Sequence, residues 1–259
     1  MNIENSDKNI ALDILLVYSP FGVISSPYIG IPVLASYLKQ KGFKITAYDI
    51  NREFLFRFLS PENIRKGLIF IGKRFDQLNR QKSLNFVEIN EYWLIASLLL
   101  LREGFENDIK NIVIPYASFD QVQNSKAVKF FTLVASMPNF PEIISTKVQL
   151  EKWSEFNHFS TQDILRSTEK QNIYSDIFRG IIADHVQNNP APKAIGFSVV
   201  FQHQIIGAFQ CAKIYREVYP DTHIVMGGPS ISNYFRELKE TKLFDIVDSF
   251  IFDEGEMAL

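Results

Sequence analysis

The sequence predicts an α/β fold in which a Rossmann-like, doubly wound sheet of five mainly parallel strands carries a large, mostly helical insertion. Three observations favour this class. Short apolar runs typical of buried strands recur towards both ends of the chain, segments of helical periodicity separate them, and the middle of the chain lacks this alternation. Strands that alternate with helices form parallel sheets, because each parallel connection needs a long crossover.

Residues 1–50 are expected to form the first β-α-β part of the sheet. Leu12–Tyr18 is a nearly continuous apolar run, which indicates a strand buried on both faces. Ser19–Gly22 interrupts this run. Apolar side chains then recur at helical spacing, at Ile31, Leu34, Ala35 and Leu38. Gly42 stands where a glycine ends a helix, and the alternating segment Phe43–Ile50 predicts the second strand.

Residues 191–259 are expected to complete the sheet. The breaker Asn188–Pro192 precedes them, and the same alternation of strand and helix patterns follows. The predicted elements are a strand over Ala194–Phe201, a helix carrying Ile205 to Tyr215, a strand over His223–Met226, a helix over Ser232–Thr241 and a strand over Asp248–Phe252. Short apolar strands of this kind are typical of a sheet that helices cover on both faces.

Residues 51–190 do not follow this rhythm and are predicted to form the mostly helical insertion. Glu91–Arg102 has the length and leucine content of a buried helix, and Thr161–Val186 carries apolar residues at helical spacing. Met137–Pro141 contains two prolines and is predicted as a loop. Aromatic residues make up 14% of the chain, which favours either a densely packed interior or a bulky apolar ligand.

Composition and charge exclude several classes of function. The 259 residues carry 27 basic and 29 acidic side chains, a net charge of −2, so binding of nucleic acid through a basic surface is not expected. The amino-terminal residues lack the regions of a signal peptide, and the longest apolar run, Trp93–Leu101, is too short to span a bilayer. We therefore expect a cytoplasmic protein without a membrane partner.

Cys211 is the only cysteine of the sequence, which excludes an intrachain disulfide and any metal centre that needs several thiolates. The four histidines show no metal-ligand spacing, so no protein metal site is expected. The sequence also lacks the glycine-rich dinucleotide motif after its first strand, the phosphate-loop motif and the nucleophile-elbow motif. Residue chemistry alone therefore predicts an α/β domain that binds a ligand, with no predicted catalytic residue.

Ligands of open α/β sheets bind beyond the carboxyl ends of the strands, which directs attention to the loops that follow the predicted strands. These loops are Ser19–Gly22, Phe201–Gln204, Gly227–Pro229 and Asp253–Glu256. The adjacent glycines at 227 and 228 would let a ligand approach the backbone and the amide groups before the next helix. A tight turn between a strand and a helix would also use two glycines, so the pair has a purely structural interpretation as well.

Other residues near these loops also have two interpretations. Ser198 could offer its hydroxyl to a ligand, although serines in buried strands usually bond to neighbouring backbone groups. His203 could contact a ligand, or it could cap the following helix or face solvent. Glu254 and Glu256 could act as a pair of acids, or they could be a solvated pair at a strand end.

Four segments of the sequence are distinctive. They read DILLVYSPFG with the following YIGIPVLASYLKQKGFKITAYDI, then AIGFSVVFQHQIIGAFQCAKIYREVYP, then HIVMGGP, and finally FDIVDSFIFDEGEMAL. Together, and in this order, they resemble the amino-terminal cobalamin-binding domain of cobalamin-dependent radical S-adenosylmethionine enzymes. The last segment matches the family pattern G-E-G-E-x-x-L, with Asp253 in place of the first glycine. The insertion lies outside the resemblance.

The resemblance implies a binding role for residues in each of the loops. The glycine pair would lie against the nucleotide tail of cobalamin, and Ser198 would face its dimethylbenzimidazole base. The loop after the first strand would face the lower side of the corrin ring, and the acidic pair would lie near the junction with the next domain. The cofactor-binding residues so implied are Pro20, Phe21, Gly22, Ser198, Val199, Phe201, Gln202, His203, Gly227, Gly228, Pro229, Glu254 and Glu256.

Two departures from related proteins refine this expectation. The loop Ser19–Gly22 has no histidine, whereas the older cobalamin fold supplies an axial histidine there. We therefore expect cobalamin bound with its own base displaced and no histidine replacing it; a ligating His203 would contradict this. Cys211 alone cannot hold the [4Fe–4S] cluster that the family uses. The chain is therefore expected to be a fragment, cut near its junction with a carboxyl-terminal radical domain.

The resemblance implies that the parent protein is a radical S-adenosylmethionine enzyme, most commonly a methyltransferase, with cobalamin, a [4Fe–4S] cluster and S-adenosylmethionine as cofactors. Its substrate would be a peptide or a small molecule, and this chain alone would bind cobalamin without being catalytic. Two alternatives stay open. The chain could be a flavodoxin-like module that binds a flavin or nucleotide, or a non-catalytic interaction domain.

Overall fold

The computed structural model describes residues 12–22, 28–58, 61–101, 156–171, 173–236 and 241–256. These residues contain five strands in one sheet, in the order β2-β1-β3-β4-β5. The strands are β1 Ile14–Tyr18, β2 Ile45–Asp49, β3 Ala194–Ser198, β4 His223–Gly227 and β5 Ser249–Phe250. Every strand pair is parallel, which confirms the predicted α/β, Rossmann-like class.

Eight α-helices and one 3-10 helix lie in the described part of the chain. The α-helices are α1 Gly30–Gln40, α2 Ile50–Phe58, α3 Pro61–Asn79, α4 Phe86–Leu101, α5 Thr161–Glu169, α6 Ile173–Asn188, α7 Gln204–Val218 and α8 Pro229–Tyr234. The 3-10 helix covers Thr241–Asp245. The glycine predicted to end α1, Gly42, has φ 92°, and its N–H bonds to the Lys39 carbonyl oxygen at 3.0 Å.

The burial of the strands explains the apolar runs of the sequence. All five residues of β1 are buried, because β1 lies between β2 and β3 and is covered on both faces. Strand β2 lies at the edge of the sheet and is only partly buried, in agreement with its alternating sequence.

The two faces of the sheet carry different helices. Leu16 and Tyr18 of β1 pack on α1, whereas Phe197 of β3 points to the opposite face, with its ring 6.1 Å from that of Tyr215 in α7. In the strand register, Leu16 pairs with Gly196, and Gly196 pairs with Val225. Because paired residues of a parallel sheet share a face, Gly196 and Val225 lie on the α1 face.

The chain divides into two compact units. One consists of Met1–Phe54 and Phe156–Leu259 and contains the sheet; the other is Leu55–Glu155. The predicted insertion, 51–190, was wider than this second unit. The structure assigns α5 and α6 to the sheet unit, since buried side chains of both helices, such as Ile164 and Phe178, complete its core. The loop predicted at residues 137–141 lies outside the described residues.

In the second, helical unit, a partly buried ion pair joins α3 and α4. Arg74 of α3 donates two hydrogen bonds to the carboxylate of Glu91 in α4, at 2.9 and 2.8 Å, and Glu91 is buried. These two hydrogen bonds from the guanidinium group compensate the buried negative charge of Glu91. Leu98 and Ile95 of α4 are fully buried, as the leucine-rich pattern predicted. Within the described ranges, we find no helix with the length and apolar character that crossing a bilayer requires.

Candidate functional site

A cavity of about 400 Å³ opens on the α1 face of the sheet, at the carboxyl ends of β1, β3 and β4. Its volume lies within the range of small-molecule sites, roughly 300–1,000 Å³. The start of α1 forms one wall, and the segments that follow β4 and β5 form the other. The strand order reverses between β1 and β3, which is where doubly wound sheets bind ligands.

Gly196 provides the floor of this cavity. It lies in the middle of β3, and a Cβ atom at this position would lie 3.1 Å from Leu16 Cδ2 and 3.7 Å from Val225 Cγ1. Glycine weakens a strand interior by roughly 0.5–1 kcal/mol relative to alanine, and it often marks a close approach by a ligand. The missing side chain therefore lets Leu16 pack close to the backbone of β3 and keeps a larger side chain out of the cavity floor.

The glycine pair at the end of β4 lines the same cavity. Gly228 has φ 110°, and a Cβ atom there would lie only 2.7 Å from the carbonyl oxygen of Val199. This backbone position therefore requires glycine. Gly227 is different, because its Cβ atom would meet Ile251 at an ordinary distance of 3.4 Å. The absence of a side chain at Gly227 thus contributes open space rather than backbone freedom.

The walls of the cavity combine apolar side chains with a few polar groups. Ile31 and Leu34 of α1 supply apolar surface, while Ser198 and Tyr28 supply hydroxyls. Burial, and secondly the nearby carboxylate of Glu256, raise the pKa of the Tyr28 phenol. The phenol is therefore protonated at neutral pH and can donate a hydrogen bond.

The mouth of the cavity is acidic. Asp253, Glu254 and Glu256 line it, and among the described residues that line it there is no lysine, arginine or histidine. Arg236 pairs with Asp253 but does not belong to the lining. The cavity therefore favours a neutral or cationic ligand over an anionic one.

The backbone conformation of Asp253 explains why an aspartate can stand where the resembled pattern has a glycine. Its φ is 69°, in the left-handed region where glycine is favoured and where aspartate is better tolerated than most residues. The Ser232 hydroxyl accepts a hydrogen bond from its backbone N–H at 2.9 Å, and Arg236 pairs with its carboxylate. These contacts hold Asp253 in a conformation that a glycine would adopt without strain.

The structure brings together six of the residues predicted from the sequence around the cavity. They are Ser198, Gly227, Gly228, Pro229, Glu254 and Glu256. The sequence interpretation did not single out Gly196, Tyr28 or Asp253 as cavity residues. Of these, Gly196 had a usable signal, since a glycine inside an otherwise apolar strand is itself unusual.

The loop after β1 differs from the expectation in the position of its side chains. Phe21 is 3% exposed, and its ring lies 5.0 to 5.8 Å from those of Phe54, Tyr174 and Phe178. Pro20 and Phe21 pack against Gly207 of α7, away from the cavity. The side chains of Pro20 and Phe21 therefore belong to the core and do not form the ligand surface that the sequence predicted.

Two hydrogen bonds fix the end of the same loop. Gly22 donates its N–H to Asn51 Oδ1 at 2.9 Å, and Asn51 Nδ2 donates to the Gly22 carbonyl oxygen at 3.2 Å. Asn51 is 4% exposed and belongs to the start of α2. The sequence interpretation missed this residue, because its partner lies 29 positions away.

The loop after β3 lies beside the cavity without lining it. Val199 is buried against Gly228, while Gln202 is exposed and accepts a hydrogen bond from Tyr234 at 3.3 Å. The rings of Phe201 and His203 stack in parallel, with centroids 5.3 Å apart. None of these four predicted residues lines the cavity: Val199 is buried, and Phe201, Gln202 and His203 lie at the sheet edge.

The cavity offers hydroxyl groups, carboxylates and glycine backbone to a ligand. Within the described ranges, no group of three or more histidine, cysteine, aspartate or glutamate side chains is arranged to hold a metal ion. Cys211 is buried in α7, and burial raises the pKa of its thiol well above the usual value, as expected for an apolar core residue. Comparison with protein families, curated proteins and solved structures yielded no match for this chain.

Proposed function

We propose that this chain is a cobalamin-binding domain that presents the cofactor to a radical S-adenosylmethionine enzyme. The observation that carries the proposal is the glycine-lined cavity at the point where the strand order reverses. Its position is the one at which doubly wound sheets bind ligands. The sequence resemblance supplies the identity of the ligand, and the geometry of the cavity is compatible with it.

The residues present fit the nucleotide tail of cobalamin. The tail ends in a flat, mainly apolar base, and Gly196 lines the cavity together with the apolar side chains of Leu16 and Val225. Ser198 and Tyr28 offer hydroxyls to its polar atoms. The corrin ring would then lie beyond the strand ends.

The charge of the cavity distinguishes cobalamin from the flavin alternative. The strand order observed here is also that of flavodoxin-like proteins, so the fold alone favours neither ligand. A flavin mononucleotide carries a terminal phosphate with a charge close to −2, which the carboxylates of Asp253, Glu254 and Glu256 would repel. The phosphodiester in the nucleotide tail of cobalamin carries a single negative charge, which the same carboxylates would oppose less strongly. The cobalt-bearing corrin ring has positive charge at its centre, which the same carboxylates would complement.

In the proposed enzyme, this chain binds and orients the cofactor. Bound cobalamin would supply a cobalt centre able to carry a methyl group, and the protein would supply position and electrostatics. The [4Fe–4S] cluster and S-adenosylmethionine would be held elsewhere, because Cys211 is a single buried thiol. Methylation of a peptide or small molecule, and a cytoplasmic location, remain predictions.

A titration with hydroxocobalamin tests the proposal. The purified chain would be mixed with the cofactor, desalted and examined by visible spectroscopy. We expect stoichiometric retention with a spectrum in which the cofactor's base is displaced and no histidine is bound. Retention of flavin mononucleotide but not of cobalamin would favour the flavin alternative. Failure to retain either ligand would favour an interaction domain.

A matched pair of glycine variants links binding to the cavity. Gly227→Ala places a methyl group in the cavity at an ordinary distance from Ile251, so the fold tolerates it. We expect cobalamin affinity to fall at least tenfold, about 1.4 kcal/mol. Gly72→Ala is the control, because a Cβ atom at that position of α3 would meet nothing within 4 Å. Equal affinity of both variants would place the ligand elsewhere.

A further inference from the structure

Gln204 joins two of the loops at the carboxyl edge of the sheet. Its side chain is fully buried, and Nε2 donates a 2.7 Å hydrogen bond to the carbonyl oxygen of Ser19, after β1. Oε1 accepts hydrogen bonds from the backbone N–H groups of Val200 and Phe201, after β3, at 2.9 and 3.0 Å. One amide therefore satisfies three buried or half-buried backbone groups on two loops.

These two loops border the crevice where the strand order reverses. The loop after β3 is also held from its other side, because the Ser230 hydroxyl donates to the Val200 carbonyl oxygen at 2.9 Å. The same loop continues directly from Ser198 in the cavity lining. A change in the spacing of the two loops would therefore reach both the crevice and the cavity.

We propose that Gln204 is a positioning residue for the ligand: it fixes the spacing of the loops after β1 and β3 and thereby sets the affinity of the site. The inference rests on the proposed function, which places the corrin ring over these loops. Gln204 itself lies outside the cavity lining and acts through the backbone of Ser19, Val200 and Phe201.

This positioning role requires an amide side chain, because Gln204 donates through Nε2 and accepts through Oε1. In Gln204→Glu, an ionised carboxylate still accepts from Val200 and Phe201 but faces the Ser19 carbonyl oxygen without a proton to donate. A protonated carboxylic acid restores that donor. The variant should therefore regain affinity as the pH falls and the buried carboxyl group takes up a proton.

Neighbouring titratable groups do not produce the same pH profile. The Tyr18 phenol lies beside Gln204 on β1, and burial raises its pKa to about 12, so it keeps its proton throughout the measurement. Asp49 acts on Tyr18 from the end of β2, and His203 directly precedes Gln204 in the chain. Both are also present in the wild type and in the control variant, which serve as references.

Gln210→Glu is the matched control. Gln210 lies in the same helix, α7, and is 3% exposed. Its Nε2 donates to the Ser167 carbonyl oxygen in α5, at 2.8 Å, and makes no link between the two loops. The substitution therefore introduces the same buried carboxyl group without disturbing their spacing.

The experiment measures hydroxocobalamin affinity of the wild type and both variants between pH about 5 and about 9, where a buried glutamate titrates. We expect Gln204→Glu to bind at least tenfold more weakly than the wild type at the alkaline end. This deficit should shrink at least threefold at the acid end. Gln210→Glu should stay within twofold of the wild type at every pH, even if its unfolding midpoint is lower.

Ser230→Ala provides a second variant in case Gln204→Glu does not fold. It removes only the hydroxyl that holds Val200 from the other side, and we expect a two- to fivefold loss of affinity. If the wild type binds cobalamin and the foldable variants match it, the positioning role is wrong while the proposed function stands. An equal loss in Gln210→Glu would assign the effect to general destabilisation and overturn the role. A wild type that binds no cobalamin overturns both.

Discussion

Around β1, a charged side chain joins neighbouring segments at the amino edge of the sheet, whereas neutral amides join them at the carboxyl edge. At the amino edge, Asp13 accepts hydrogen bonds from Lys193 Nζ and from the backbone N–H of Lys44. At the carboxyl edge, Gln204 and Asn51 bond to the backbone of the loops. The first edge is fastened by ions that solvent screens, and the second by buried groups with fixed geometry.

The difference indicates which edge of the sheet is the more rigid. Exposed ion pairs contribute little to stability and tolerate small displacements of the groups that they join. The amino edge therefore does not need a fixed geometry. Buried amides with several partners allow only one arrangement of the loops, which is what a preformed ligand site requires. We therefore expect the loss of a buried amide at the carboxyl edge to have a larger effect than the loss of an exposed charge at the amino edge.

Gly228→Ala should have the largest effect on stability. The new Cβ atom would lie 2.7 Å from the Val199 carbonyl oxygen, at a φ of 110°. Strain and overpacking of this kind cost about 3 kcal/mol together. Urea unfolding monitored by far-ultraviolet circular dichroism measures the loss. Gly227→Ala is the neighbouring control, since its Cβ atom has ordinary contacts; equal stability of the two variants would contradict the strain at Gly228.

Asn51→Ala should rank second. It removes both hydrogen bonds to Gly22 and leaves a buried N–H group without its partner. An unpaired buried donor costs roughly 1–3 kcal/mol, and we expect about 2 kcal/mol. Urea unfolding gives the free energy, and hydrogen exchange at the Gly22 amide gives the local effect. Unchanged protection of that amide would show that Asn51 does not hold the loop.

Asp248→Asn sharpens the comparison at the amino edge. Burial alone would raise the pKa of Asp248, but the Ile224 N–H, Arg216 and His223 outweigh it, so the pKa lies below its ordinary value. A carboxylate with a lowered folded pKa stabilises the protein above its unfolded pKa, near 3.8, and loses this contribution as the pH falls through the folded pKa.

The wild type should therefore lose stability more steeply than Asp248→Asn below pH about 4. The asparagine keeps an oxygen for the Ile224 N–H and loses the charge, so its cost at neutral pH should be about 1 kcal/mol. Unfolding free energies measured across this pH range provide the check. Parallel curves for the two proteins would mean that Asp248 contributes nothing to acid unfolding.

The fold could be predicted from the sequence where burial leaves a continuous pattern. Strand β1 is buried along its whole length, so its apolar run was unambiguous. Strand β5 was predicted over Asp248–Phe252 but pairs with β4 only at Ser249–Phe250. The helical pattern of Thr161–Val186 is divided into α5 and α6, since the chain becomes extended at Lys170.

The site could be predicted only where a residue type has a local meaning. The pair Gly227 and Gly228 follows a strand directly, so a close backbone approach could be inferred. Gln204 could not be recognised, because its partner Ser19 lies 185 positions away and nothing local distinguishes it from Gln202. Phe21 shows the reverse error, since an aromatic residue in a loop was assigned to the ligand surface but packs in the core.

Asp253→Gly should have the smallest effect, because its contributions oppose one another. Glycine relieves the cost of φ 69°, about 1 kcal/mol, but it loses a surface ion pair with Arg236 and increases the freedom of the unfolded chain. We expect a change in unfolding free energy below about 0.5 kcal/mol. The variant also introduces the glycine found at this position in the family that the sequence resembles, and it removes one carboxylate from the cavity mouth. Its cobalamin affinity should stay within threefold of the wild type, because Glu254 and Glu256 remain; a tenfold change would show that Asp253 contacts the ligand directly.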